Sequence, residues 1–101
     1  NMAEKRALIL HPKDNVASAL DDVLPGEAVE ARLGKDVMMI EAQEQVPFGF
    51  KLAVTEIAPG DPIIKYGETI GHASQPIKRG ALIHIHNLAG ARGRGDLRKN
   101  A

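Results

Sequence analysis

Hydrophobic positions along this chain come in short bursts between glycine- and proline-marked turns, and few keep helical spacing for long. The run Arg6-Ala7-Leu8-Ile9-Leu10, ended by His11-Pro12, predicts a buried strand. Asp14 or Asn15 then predicts the cap of a helix of about two turns over 16–23, with Val16, Ala19, Leu20 and Val23 on one side. Val29, Ala31 and Leu33 alternate with polar residues, Gly34-Lys35-Asp36 turns the chain, and Val37-Met38-Met39-Ile40 pairs back as a hairpin. Further strands are predicted over 50–57, with Phe50, Leu52 and Val54 on one face, and over 63–66 and 81–86. The sum is a mostly β domain with one short helix near the N-terminus and long irregular crossings.

A small internal echo supports many tight turns. Val23-Leu24-Pro25-Gly26-Glu27-Ala28-Val29, Ile57-Ala58-Pro59-Gly60-Asp61-Pro62-Ile63 and Ile77-Lys78-Arg79-Gly80-Ala81-Leu82-Ile83 all read apolar-x-x-Gly-x-x-apolar. Each predicts a turn whose glycine takes positive φ, with a buried residue before it and a new strand after it. Their unequal spacing excludes a solenoid.

Composition narrows the function classes. At 101 residues the chain is one small domain, without room for a deep enclosed active site. Its aromatics are Phe48, Phe50 and Tyr66, with no tryptophan, so a stacking platform for single-stranded nucleic acid is not expected. There is no cysteine, which leaves histidines, carboxylates and backbone oxygens as the metal ligands on offer. No apolar run approaches the ~20 residues of a membrane helix, and no signal peptide opens the chain; Asn1 ahead of Met2 reads as a tag remnant. A soluble cytoplasmic protein with no membrane role is expected. Formal net charge is zero, yet Arg92, Arg94, Arg98 and Lys99 face only Asp96 in the last eleven residues. That Gly-rich tail reads as a linker or partner-binding segment rather than a nucleic-acid site.

Chemistry concentrates in Ile83-His84-Ile85-His86-Asn87. On a strand, His84 and His86 share one face while Ile83 and Ile85 take the other. Two imidazoles on one face suit a metal or an acidic substrate, although two ligands alone do not make a site, and a half-exposed polar face gives the same pattern.

Ile63-Ile64-Lys65-Tyr66-Gly67-Glu68-Thr69-Ile70-Gly71-His72-Ala73, followed by Ile77-x-x-Gly80 and His84-Ile85-His86-Asn87, resembles the SAF domain of altronate and galactarate dehydratases. His11-Pro12-x-Asp14-Asn15-Val16-Ala17 resembles the opening of that module, and 88–97 the joint to a larger catalytic domain. The resemblance implies a β-clip fold over 1–88, with 89–101 as a basic tail toward a catalytic domain or separate large subunit. It implies a hydro-lyase that dehydrates a sugar acid to a 2-keto-3-deoxy acid, in which this chain is inactive alone. It further implies a divalent metal, Fe2+ first, with Mn2+ or Mg2+ as alternatives. His11, His84 and His86 are then the metal candidates, and Lys65, Tyr66 and Asn87 the substrate-binding candidates. Asp14 and Asn15 are read as helix caps, Gly67 and Gly71 as turn geometry, and His72 as a surface residue. No catalytic residue is assigned. A non-catalytic carbohydrate- or protein-binding SAF module and the small subunit of a sulfolactate sulfo-lyase are the competing readings. Exposed strand edges in so small a domain also make a homodimer reasonable.

Overall fold

The computed structural model describes residues 5–90. Nine strands are present: β1 (Lys5–Leu8), β2 (Val16–Ala19), β3 (Ala28–Leu33), β4 (Asp36–Glu41), β5 (Lys51–Ala53), β6 (Pro62–Lys65), β7 (Glu68–Ala73), β8 (Leu82–Ile83) and β9 (Leu88–Gly90). They form a six-stranded sheet in the order β4-β3-β1-β2-β5-β8 and a three-stranded sheet β6-β7-β9. All neighbours are antiparallel except β1 and β3. The expected β-rich class holds. The folded unit takes in Leu88–Gly90, which pair with β7, so it runs past residue 88; the basic tail from residue 91 lies outside the described residues.

The expected helix over 16–23 is absent. Val16–Ala19 is β2, a central strand between β1 and β5, and Leu20 is exposed. The cause is burial on both faces. Ala17 and Ala19 pack into one core and Val16 into the other, so the strand shows no polar alternation and its apolar positions pass for a helical stripe. The strand expected over 81–86 is likewise cut to Leu82–Ile83, because 84–87 turn.

The expected turn echo is present, with a fourth copy at Val46-Pro47-Phe48-Gly49-Phe50-Lys51-Leu52, and each copy begins four residues earlier at an alanine. Ala19, Ala42, Ala53 and Ala73 precede Val23, Val46, Ile57 and Ile77, all buried. Gly26, Gly49, Gly60 and Gly80 follow, with φ of 85°, 85°, 88° and 88°. The residue after each glycine donates its N–H back across the turn, to the carbonyls of Leu24, Pro47, Ala58 and Lys78, as in a type II turn.

The copies interlock in pairs. Val23 and Val46 exchange both backbone hydrogen bonds at 2.9 Å, and Ile57 and Ile77 do the same. Gly26 N–H reaches Ala42 O and Gly49 N–H reaches Ala19 O; Gly60 N–H reaches Ala73 O and Gly80 N–H reaches Ala53 O, each at 2.8 Å. The first pair closes a core of Ala7, Ala17, Ala31, Val29, Ile40 and Leu52, with Val23 and Val46 as its lid. The second lies with Val16, Ala53, Ile63 and Ile83 between the two sheets.

Equivalent turns allow a controlled comparison. A Cβ on Gly60 meets nothing within 4 Å, whereas one on Gly80 runs into the carbonyl oxygen of Glu41. Gly60→Ala should cost the left-handed strain alone, about 1–2 kcal/mol. Gly80→Ala should cost about 3 kcal/mol or more, since backbone must also move. Urea denaturation of both variants checks the order.

Glu27 adds a pH dependence. Its Oε1 accepts the Leu24 N–H at 2.8 Å and lies 3.1 Å from Lys5 Nζ. The backbone donor first, and Lys5 second, hold this carboxyl below its ordinary value. A carboxyl depressed in the fold contributes stability above its unfolded value of 4.5 and loses it as pH falls through the lower folded value. Glu27→Gln should therefore be less stable than the parent at neutral pH, with the gap closing below about pH 4; denaturation midpoints across pH measure it.

Candidate functional site

Lys65 and Glu68 close the β6–β7 hairpin, leaving Tyr66 and Gly67 as a two-residue turn. Both have positive φ, 57° and 73°, the twist that suits a hairpin but ordinarily recruits Asn or Gly at its first position. A tyrosine there carries about 1–2 kcal/mol of strain. Asp14 offsets it. Buried between the turns, its Oδ2 accepts the Tyr66 N–H at 3.0 Å and its Oδ1 the Gly67 N–H at 2.8 Å. Asn15 grips the same hairpin one step back: Oδ1 accepts the Ile64 N–H at 2.8 Å and Nδ2 donates to Pro62 O at 2.9 Å. These two side chains, expected to cap a helix, satisfy backbone donors some fifty residues away instead. The physical need is the same, a short polar acceptor for unpaired N–H groups, but the partner is tertiary.

His11 completes this corner. Its Nδ1 accepts the Lys13 N–H at 3.0 Å, and its ring lies against the turn, where a Cβ on Gly67 would come 2.9 Å from Nε2. Gly67 thus serves both the left-handed backbone and the approach of the imidazole. Tyr66 is thrown outward, 65% exposed, with Lys65 Nζ 5.4 Å from its ring centre. The turn therefore presents an ammonium and a phenol together from a rigid base.

Lys51 belongs to the same neighbourhood. Burial, and then the charge of Lys65, push its ammonium below the ordinary lysine range.

The histidine pair is arranged differently from its expected strand face. Residues 84–87 turn, with Asn87 N–H and Leu88 N–H both donating to His84 O. His84 lies across from Phe50, ring centres 4.9 Å apart at 57°. His86 lines a shallow groove with Glu44, Gln75 and Lys78. Asn87 is buried and spends its amide on the chain itself: Oδ1 accepts the His84 N–H at 3.0 Å and Nδ2 donates to Leu82 O at 2.8 Å. Proximity in sequence put the two imidazoles on one turn, whereas His11 sits at the β6–β7 turn. Among the described residues no group of three or more histidines and carboxylates is placed to hold a metal. His11, His84 and His86 thus do not assemble a ligand set among the described residues.

A family model described as the altronate/galactarate dehydratase SAF domain matches residues 5–91. The chain belongs to this family. The altronate dehydratase of Bacillus subtilis is 42% identical over 83 residues, 82% of this chain and 16% of that protein. The altronate dehydratase of Escherichia coli is 40% identical over 78 residues, 77% of this chain and 15% of that protein. The (2R)-sulfolactate sulfo-lyase subunit alpha of Chromohalobacter salexigens is 35% identical over 51 residues, 50% of this chain and 54% of that protein. The chain thus spans about one sixth of the length of the two dehydratases.

Sequence reasoning gave Lys65, Tyr66 and Asn87 as substrate-binding candidates and His11, His84 and His86 as metal candidates; the structure brings Lys65, Tyr66 and His11 to one corner and leaves His84, His86 and Asn87 on the 84–87 turn. It missed the roles of Asp14 and Lys51. A lysine between Phe50 and Leu52 was the available signal for the latter, a lone polar residue in an apolar strand.

The Asp14 clamp has a direct test. Asp14→Ala should cost about 2 kcal/mol, because two N–H groups lose their acceptor. Adding Tyr66→Gly to that variant should recover about 1 kcal/mol by removing the left-handed strain the clamp had offset. Chemical denaturation of the single and double variants reads both values.

Proposed function

We propose that this chain is the SAF part of a cytoplasmic, metal-dependent hydro-lyase that dehydrates an altronate- or galactarate-like sugar acid. It is inactive alone and completes a site built mostly by a larger catalytic domain or subunit. The observation that carries this reading is the Asp14-clamped turn, which holds Tyr66 outward at a left-handed position beside Lys65. Family membership, and the dehydratase names of the longer relatives, supply the reaction class.

In such a dehydration a base takes the proton α to the carboxylate and the β-hydroxyl leaves with a second proton as water. The resulting enol becomes the 2-keto-3-deoxy acid. Negative charge builds on the substrate carboxylate as the α proton departs, so a fixed ammonium and phenol near that group lower the barrier. Lys65 supplies the charge and Tyr66 a hydroxyl donor in this role. The divalent metal, Fe2+ by expectation, would supply Lewis-acid assistance, and His84 and His86 are the residues of this chain that would reach it across the contact with the larger partner. His11 positions the turn from beneath. Asn87, whose amide is committed to the turn, holds His84 and His86 in place.

A second reading, the small subunit of a sulfolactate sulfo-lyase, is favoured by one observation: two relatives of that name are themselves short, and the chain covers 54% and 72% of them.

The test is to purify the chain with and without a large partner and assay a panel of sugar acids and sulfolactate with ferrous iron present. Activity should appear only in the mixture, and Lys65→Met and Tyr66→Phe should each lower turnover by about tenfold or more in an intact complex. The double variant His84→Ala, His86→Ala separates assembly from turnover. Full activity of the partner alone would make this chain a structural attachment.

A further inference from the structure

Lys51 and Lys65 come from different sheets and flank the same core. Lys51, on β5, pairs with Ser18 of β2 and Ile83 of β8. Ile83 is buried with Ala53, two residues beyond Lys51 on the same strand face, and with Ile63 of β6. Lys65 stands two residues beyond Ile63. The core under the two lysines is therefore shared, and both residues are half-buried at its edge.

Neither has a counter-ion among the described residues. The ion pairs among the described residues are Lys5–Glu27, Arg6–Asp21 and Arg32–Glu30. Glu68, opposite Lys65 across the hairpin, is exposed and forms no ion pair with it, and the Asp14 carboxylate is spent on the turn. The other described lysines are exposed (Lys13, Lys35, Lys78) or paired (Lys5). Only this pair combines partial drying, like charge and no partner. Such a pairing costs the free fold stability and is relieved by an incoming anion.

We propose that Lys51 and Lys65 form a two-point anchor for the oxyanion group of a small hydroxy acid, a carboxylate or a sulfonate, with the Tyr66 hydroxyl donating beside them. The anchor deepens the reading above, and rests on it only for which acid is bound. Two ammoniums facing one oxyanion group bind it by charge-assisted hydrogen bonds. Tyr66, fixed by the left-handed turn, leaves its hydroxyl free for a neighbouring substrate oxygen. The strained turn and the unpaired lysines then have one purpose, a preformed acid-binding corner on a domain too small to enclose its ligand.

The experiment is an NMR titration of the isotopically labelled chain with galactarate, sulfolactate, inorganic sulfate and the neutral polyol galactitol. Saturable shifts are expected at amides of 50–52 and 64–68 with an acid, and none with galactitol; the tighter of galactarate and sulfolactate identifies the oxyanion group. Lys51→Met and Lys65→Met should each weaken binding by about tenfold or more, with Lys35→Met unchanged. Circular dichroism confirms that each variant folds. No saturable binding, undiminished binding by folded Lys51→Met, or sulfate binding as tightly as either acid would overturn the proposal. Binding without any effect of this chain on the partner's turnover would remove the functional reading and leave the anchor standing. Turnover that depends on this chain without such binding would do the reverse.

Discussion

A backbone hydrogen bond from a turn glycine to the carbonyl of a buried alanine, made four times, is the constraint on which this structure depends. It requires a glycine, because the turn places that residue at positive φ. The valine or isoleucine three residues before each glycine then falls into the core without choice, paired to its counterpart by two backbone bonds. A chain with three aromatics cannot rely on large side chains to fill its interior. It relies on close backbone approach around alanines, with Ala7, Ala19 and Ala31 side by side across three strands. Close packing of small groups loses little to cavities, and each buried backbone bond adds about 1 kcal/mol.

The second interlocked pair carries the three-stranded sheet, and Asp14 and Asn15 tie that sheet to the first one. Their acceptors work where the chain enters β2, so the position of the Tyr66–Gly67 turn is referenced to the central sheet. Strain at Tyr66 is affordable only because Asp14 satisfies both amides of the turn. The fold thus holds the Tyr66 phenol in the open beside the half-buried Lys65.

That geometry suits the family to which the chain belongs. The histidines and Asn87 of the 84–87 turn have separate surroundings. Asn87 shapes its own turn, and the two imidazoles are presented on different surroundings, His84 against Phe50 and His86 over a polar groove.

Much of this was legible from residue order alone. The hairpin over 28–41, the strands at 5–8 and 62–65 and the turn echo follow from local chemistry, because alternation, proline and glycine act within a few residues. The family was legible too, in Lys65-Tyr66-Gly67 and His84-Ile85-His86-Asn87. What tertiary structure alone decided is which groups meet. Val16–Ala19 became a strand because both of its faces are buried, a circumstance that leaves no periodic trace. Asp14 turned from a helix cap into a clamp because the nearest unpaired N–H groups came from the far end of the chain. Lys51 and Lys65 flank one core only because two sheets share it. Local sequence specifies what each segment prefers to be, whereas long-range burial and the need to satisfy every backbone donor decide what each side chain is for.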